Sequence, residues 1–119
     1  MINYKIYIRE PWADLIINGK KTIETAGFNL PSRFLNIPLY IQNEKRQITG
    51  TVTFSGSKKY NNLNEFNADA RKHKVIDPTN KFHFNNRPRT HGWIISHVEK
   101  LSEPIQGVPF KGQFRIQPV

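Results

Sequence analysis

The stretch that decides the fold is Trp12-Ala13-Asp14-Leu15-Ile16-Ile17-Asn18-Gly19-Lys20-Lys21-Thr22-Ile23-Glu24. Trp12, Leu15 and Ile16 recur at helical spacing. Pro11 suits the first turn of a helix, where its missing N–H costs nothing, and Gly19 suits the left-handed position that ends one. Packing of an amphipathic helix accounts for the apolar residues. It does not account for Lys21, Thr22 and Glu24 crowded into the turn that follows. That turn reads as the floor of a binding cleft. A lysine there donates to a phosphate or carbonyl oxygen, while the carboxylate accepts from the amino edge of a base. A desolvated lysine can also lose its proton and serve as a base. The competing reading is an ion pair that fastens the helix end.

Working outward, residues 2–8 alternate, with Ile2, Tyr4, Ile6 and Ile8 on one face and Asn3, Lys5 and Tyr7 on the other. This is the pattern of a half-buried strand. Residues 20–26 read as a second strand and 27–36 as a loop with buried aromatic anchors. Residues 38–42 and 47–55 read as strands paired across the polar Asn43–Arg46 turn. Gly50 inside the second marks a bulge or a close backbone approach. A second helix is expected over 62–73, where Asn62 and Glu65 resemble a capping box and Leu63, Phe66 and Ala70 share a face. Residues 75–90 are a long irregular segment, 92–98 an apolar strand, 99–112 a Pro/Gly-rich connection and 113–117 a closing strand. Long loops in small domains are often functional. The expected class is α+β, mainly β: a small β-barrel with two peripheral helices, in one domain over 1–119.

Composition narrows the function. With 119 residues the chain supports one modest core, and with no cysteine it has neither disulfides nor thiolate metal sites. No apolar run has the length of a membrane span and no signal peptide opens the chain, so a cytoplasmic protein without membrane attachment is expected. The net charge of +9 favours polyanions, nucleic acid first. From Lys58 to Arg89, eight Lys or Arg face only Glu65, Asp69 and Asp77. Tyr60, His73, Phe82, His83, Phe84 and His91 are interleaved with them. Cations hold phosphates and flat rings stack on bases. The other reading is a solvated basic face over aromatic core residues. The histidines at 73, 83, 91 and 97 lack metal-ligand spacing, and no glycine-rich phosphate loop or nucleophile elbow is present, so neither metal nor cofactor is expected.

These residues together suggest a family. Glu10-Pro11-Trp12, Leu15-Ile16-Ile17 and Gly19-Lys20-Lys21-Thr22-Ile23-Glu24 resemble the start of the ASCH domain, part of the PUA-like superfamily. The family hallmark is a glycine, a lysine two residues on and a glutamate three further, matched by Gly19, Lys21 and Glu24. Pro38-Leu39-Tyr40-Ile41 and Gly50-Thr51-Val52 look like its second and third core strands. His91-Gly92-Trp93-Ile94-Ile95, with Val98, Leu101, Pro104-Ile105 and Phe110-Lys111-Gly112-Gln113, looks like its C-terminal strands and crossover. One departure is plain: Ala26 stands where many members carry arginine, which removes a guanidinium from the cleft or its support.

The resemblance implies a small PUA-like barrel with a cleft between barrel and helix that takes RNA or a nucleotide-like ligand. Some small members resemble amidohydrolases of acetylated cytidine that use a lysine, a threonine and a glutamate; others have been regarded as ribonucleases. The lysine carries over to Lys21. The threonine position is Glu24, a carboxylate in place of the hydroxyl nucleophile, and Glu65 and Asp69 are candidates for the distant acid. The expected function is therefore an RNA- or nucleotide-binding module. Its ligand-binding residues would be Arg9, Trp12, Lys21, Thr22, Glu24, Lys58, Lys59, Tyr60, Arg71, Lys72, Arg87, Arg89 and His91. The alternative is a hydrolase of a modified nucleoside or a ribonuclease, with Lys21 and Glu24 as the candidate catalytic residues. A third reading, a protein-interaction module with an incidental basic face, names no partner.

Overall fold

In a computed structural model describing residues 1–119, the elements run β1 (Tyr4–Tyr7), α1 (Trp12–Ile17), β2 (Ile23–Ala26), β3 (Pro38–Gln42), β4 (Gln47–Lys59), α2 (Leu63–Ala68), α3 (Ala70–His73), β5 (His91–Gln106) and β6 (Ile116–Pro118). Single 3-10 turns occur at Ser32–Phe34 and Phe84–Asn86. The strands form one six-stranded sheet in the order β2-β5-β4-β3-β1-β6. β1 is parallel to β3 and antiparallel to β6; the β2–β5 and β3–β4 pairs are antiparallel. No helix is long and apolar enough to cross a membrane. The chain is mainly β, with three short helices where the sequence suggests two. Its contacts gather into two compact units: Met1–Lys20, Ile37–Thr53 and His97–Val119 in the first, Lys21–Asn36 and Phe54–Ser96 in the second.

The first unit has an aliphatic core of Ile6, Ile8, Ala13, Ile16, Leu39, Ile41 and Val52. α1 ends as its sequence dictates. Gly19 takes φ +77°, its N–H donates to Ile16 O at 3.0 Å, and the Lys20 N–H donates to Leu15 O at 2.9 Å. This paired closure satisfies carbonyls the helix would otherwise leave open. β3 and β4 pair across the expected turn, with a register shift between Ile41 and Gln42. Gly50 is the close approach its sequence suggests: a Cβ there would lie 2.3 Å from both Glu99 O and Ile17 Cδ1.

Two expectations for this unit need correcting. β1 is not half-buried, because Lys5, on the face expected to be open, is only 4% exposed. The Lys5 ammonium donates to Gln42 Oε1 at 3.2 Å and to Val108 O, and lies 4.5 Å from the Phe110 ring centre. Residues 99–106 are strand rather than connection. Glu99, Lys100, Ser102, Glu103, Pro104, Ile105 and Gln106 are all exposed, so no alternation marks the strand.

The second unit is built on aromatic rings. Phe54 meets Trp93 edge-on at 5.5 Å, and Tyr60 meets Phe66 at 5.3 Å. Asn62 caps α2 through the Glu65 N–H at 2.9 Å, while the Glu65 carboxylate accepts from the Asn61 N–H at 2.8 Å. The helix expected over 62–73 breaks at Asp69, whose φ and ψ of −98° and 12° leave the helical range. Asp69 is held off the helix path by Tyr60 Oη at 2.7 Å and by the Lys58 ammonium.

Gly92 in β5 has no room for a side chain. A Cβ would fall 2.8 Å from Tyr60 Oη and 2.9 Å from Ile23 Cγ2, and the Tyr60 hydroxyl cannot yield without leaving Asp69. Gly92→Ala is expected to cost about 1–3 kcal/mol of stability through overpacking. Denaturant unfolding checks this; a variant as stable as the parent contradicts it.

Candidate functional site

The charged turn after α1 is a packed ion pair. Thr22 ties β2 in place: its N–H donates to Lys72 O at 2.8 Å, and its carbonyl accepts from the Ile95 N–H at 3.0 Å. This draws Lys21 to the end of α3. There Lys74 turns left-handed at φ 67°, and His73, the last helical residue, has a carbonyl without a helical partner. The Lys21 ammonium donates to that carbonyl and lies 3.4 Å from Glu24 Oε1. The Lys21 side chain has 0% and that of Glu24 5% of its surface exposed. The cleft-floor expectation for this turn thus gives way to fastening: the amine is spent on a helix end and a carboxylate.

His73 completes this cluster. Its ring stacks on Phe66 at 4.0 Å. Nδ1 accepts from the Val75 N–H at 3.0 Å, so Nε2–H is the donor to Phe66 O at 2.7 Å. That pattern requires the neutral ring. Burial, and then the neighbouring Lys21 charge, push its pKa below the usual histidine value despite the Phe66 hydrogen bond. His91 is pushed down as well, by burial and by Lys59 and Arg89. The unfolded chain therefore binds more protons than the folded one below the ordinary histidine pKa. Stability is expected to hold above about pH 6.5 and to fall as pH drops below it, by up to about 1.4 kcal/mol per pH unit for each fully neutral ring. Replacing His73 with Gln should flatten the slope between about pH 5 and 6.5; an unchanged slope contradicts the assignment.

Asp69 gathers a second cluster. It accepts from Lys58 and Tyr60, and Lys72 Nζ is 4.0 Å away. Burial raises its pKa, but hydrogen bonds from Lys58 and Tyr60 and the charges of Lys58 and Lys72 outweigh this and hold it low. Lys58 and Tyr60 are consumed here.

Beyond these clusters, the second unit carries a recess of about 380 Å³ lined by Gly27, Phe28, Asn29, Lys59, Arg89 and His91. Lys59 and Arg89 are exposed and form no ion pair, and no carboxylate lines the recess. Phe28 is 47% exposed, yet it is anchored: Trp93 meets its ring edge-on at 5.3 Å and donates Nε1–H to its carbonyl at 3.0 Å. Asn29 is oriented by a relay in which the Leu30 N–H donates to Ser57 Oγ and Ser57 donates to Asn29 Oδ1, both at 3.3 Å. His91 is 6% exposed, and its Nδ1 has no hydrogen-bond partner. An aromatic face and two unpaired cations are suited to a base and its phosphate.

No protein-family profile and no curated relative matches the sequence. Solved structures do match. The crystal structure of the ASCH protein of Zymomonas mobilis superposes with a TM-score of 0.76 at 15% identity, covering 98% of this chain and 86% of that one. Its serine-to-alanine and tyrosine-to-phenylalanine variants give TM-scores of 0.75, likewise at 15% identity and 98% coverage of this chain, with 87% and 88% of theirs covered. The chain has the ASCH-domain fold.

On this ASCH fold the candidate residues separate. Lys59, Arg89 and His91 come together at the recess. Lys21 and Glu24 pair in the interior, with Thr22 exposed beside them. Lys58, Tyr60 and Lys72 gather at Asp69, and Arg71 is exposed on α3. Arg87 lies against the Phe82 ring, 5.0 Å from its centre. In the first unit Arg9 lies 4.0 Å from Glu44, and Trp12, half-buried, opens α1. A second recess there, about 350 Å³, has Glu10 and Asp14 balanced against Lys45 and Lys100, so it offers a polyanion no net attraction. Sequence reasoning missed Gly27, Phe28 and Asn29. The available signal was Phe28 between a glycine and an asparagine, an aromatic ring in a turn rather than an apolar run. The aromatics expected to stack on bases are packing instead: His73, His83 and Phe84 surround Phe66 at 4.0, 4.9 and 6.0 Å.

Proposed function

We propose that this chain is an ASCH-type, PUA-like module that binds RNA or a nucleotide, with the Phe28–Arg89–His91 recess as its ligand site. One observation carries the reading: the recess combines an anchored, half-exposed ring with two unpaired cations and no carboxylate. Stacking is worth about 1–3 kcal/mol per base and is indifferent to sequence. The phosphate contacts are electrostatic and release counterions. In the second unit the cations of Lys21 and Lys58 are spent on Glu24 and Asp69, whereas Lys59 and Arg89 at the recess form no ion pair.

The test is binding of a labelled single-stranded RNA by fluorescence anisotropy across about 50–200 mM salt. With two phosphate charges neutralised by Lys59 and Arg89, log K should fall against log salt with a slope of about −1.4, roughly −0.7 per charge. Binding that does not respond to salt, or no binding at low salt, counts against the reading.

A further inference from the structure

Three of the four buried side-chain polar atoms that lack a partner sit within residues 87–91: Arg87 Nη1, Thr90 Oγ1 and His91 Nδ1. A buried donor or acceptor left unmet is destabilising, so such a cluster marks a segment not shaped by packing alone. Of the three residues, His91 lines the recess. Resting on the proposed nucleotide-binding reading, we infer that the recess is a phosphomonoester pocket: it takes the terminal phosphate of a nucleotide or an RNA end, with Arg89 and Lys59 around the phosphate, the His91 ring in the lining and Phe28 against the base.

Size is the first argument. A recess of about 380 Å³ lies near the lower bound for ligand sites and suits one nucleotide, not a run of them. Charge is the second. A phosphate monoester carries about −1.5 to −2 near pH 7, whereas a diester carries a single negative charge. Lys59 and Arg89 supply two positive charges with no carboxylate among the lining residues. His91 also gains from a dianion: Lys59 and Arg89 now disfavour its charged form, and a phosphate between them cancels that field.

The experiment compares one short single-stranded RNA made with a 5′-phosphate, a 3′-phosphate or hydroxyls at both ends, alongside uridine 5′-monophosphate and uridine. Kd is measured at fixed salt. One phosphorylated end, or the free monophosphate over uridine, should bind about 10-fold or more tighter than its hydroxyl counterpart, the worth of charge-assisted hydrogen bonds. The arm that gains identifies the source as an RNA end or a free nucleotide. Arg89→Ala, at an exposed position, should bring the ratio to within about twofold. Equal affinity for phosphorylated and hydroxyl forms overturns the inference. If binding then remains salt-dependent and sensitive to Arg89, the nucleotide-binding reading survives without it; if neither RNA nor mononucleotide binds, both fall.

Discussion

Lys21→Ala is expected to lower the unfolding free energy by about 3–5 kcal/mol, a large part of the 5–15 kcal/mol a small domain has in total. The variant leaves the Glu24 carboxylate, 5% exposed, without its ammonium, and the His73 carbonyl at the end of α3 without its donor. Desolvation makes the loss large: a buried pair stripped of one partner leaves an uncompensated charge, whereas an exposed pair is worth at most about 1 kcal/mol. Pairing Lys21→Met with Glu24→Gln should recover much of the loss, because no charge is then stranded. A double-mutant cycle reads this directly as a coupling energy. Denaturant unfolding of the single variant, with the exposed Lys20→Ala as comparison, is the measurement. Equal midpoints for the two would mean that Lys21 does not fasten β2 to α3.

The second large effect concerns binding. Arg89→Ala and Lys59→Ala should each weaken single-stranded RNA binding by about 10–100-fold, the loss of one charge-assisted contact of about 1.5–3 kcal/mol. Each should also reduce the salt slope by about 0.7. Both side chains are exposed and form no ion pair, so unfolding free energies should stay within about 0.5 kcal/mol of the parent. Arg71→Ala and Lys72→Ala on α3 separate a site from a general basic face. If charge alone attracts RNA, they should weaken binding as much as Arg89→Ala does; if the recess is the site, they should change it little. Native affinity in the Lys59→Ala/Arg89→Ala double variant contradicts the assignment.

Much of the fold was legible because local chemistry decided it. Gly19 ended α1 by the only backbone geometry that closes both carbonyls, and the Asn43–Arg46 turn set the β3–β4 pair. The Asn62 cap began α2 where expected. The mistakes lie where distant contacts overrode local pattern. Asp69 broke the second helix because Tyr60 and Lys58 claim its carboxylate. Lys5 went inside because Gln42 and Val108 satisfy its ammonium. The end of β5 was unreadable because solvent faces it on both sides. The candidate site was half legible. Charge density pointed to Lys59, Arg89 and His91, but charge does not tell a consumed lysine from an available one. Lys21, Lys58 and Lys59 look alike in sequence; their partners, 52 and 11 residues away for the first two, separate them. Phe28 was unreadable as a site residue because its role depends on Trp93, 65 residues on.

The most direct test of the central claim is a proton–nitrogen correlation spectrum of the labelled protein titrated with uridine 5′-monophosphate. The recess predicts progressive, saturable shifts at the amides of Phe28, Asn29, Lys59, Arg89 and His91, with Lys5 and Lys100 unmoved. Shifts confined to the first unit's recess around Glu10 and Lys100, or none at saturating nucleotide, would contradict it.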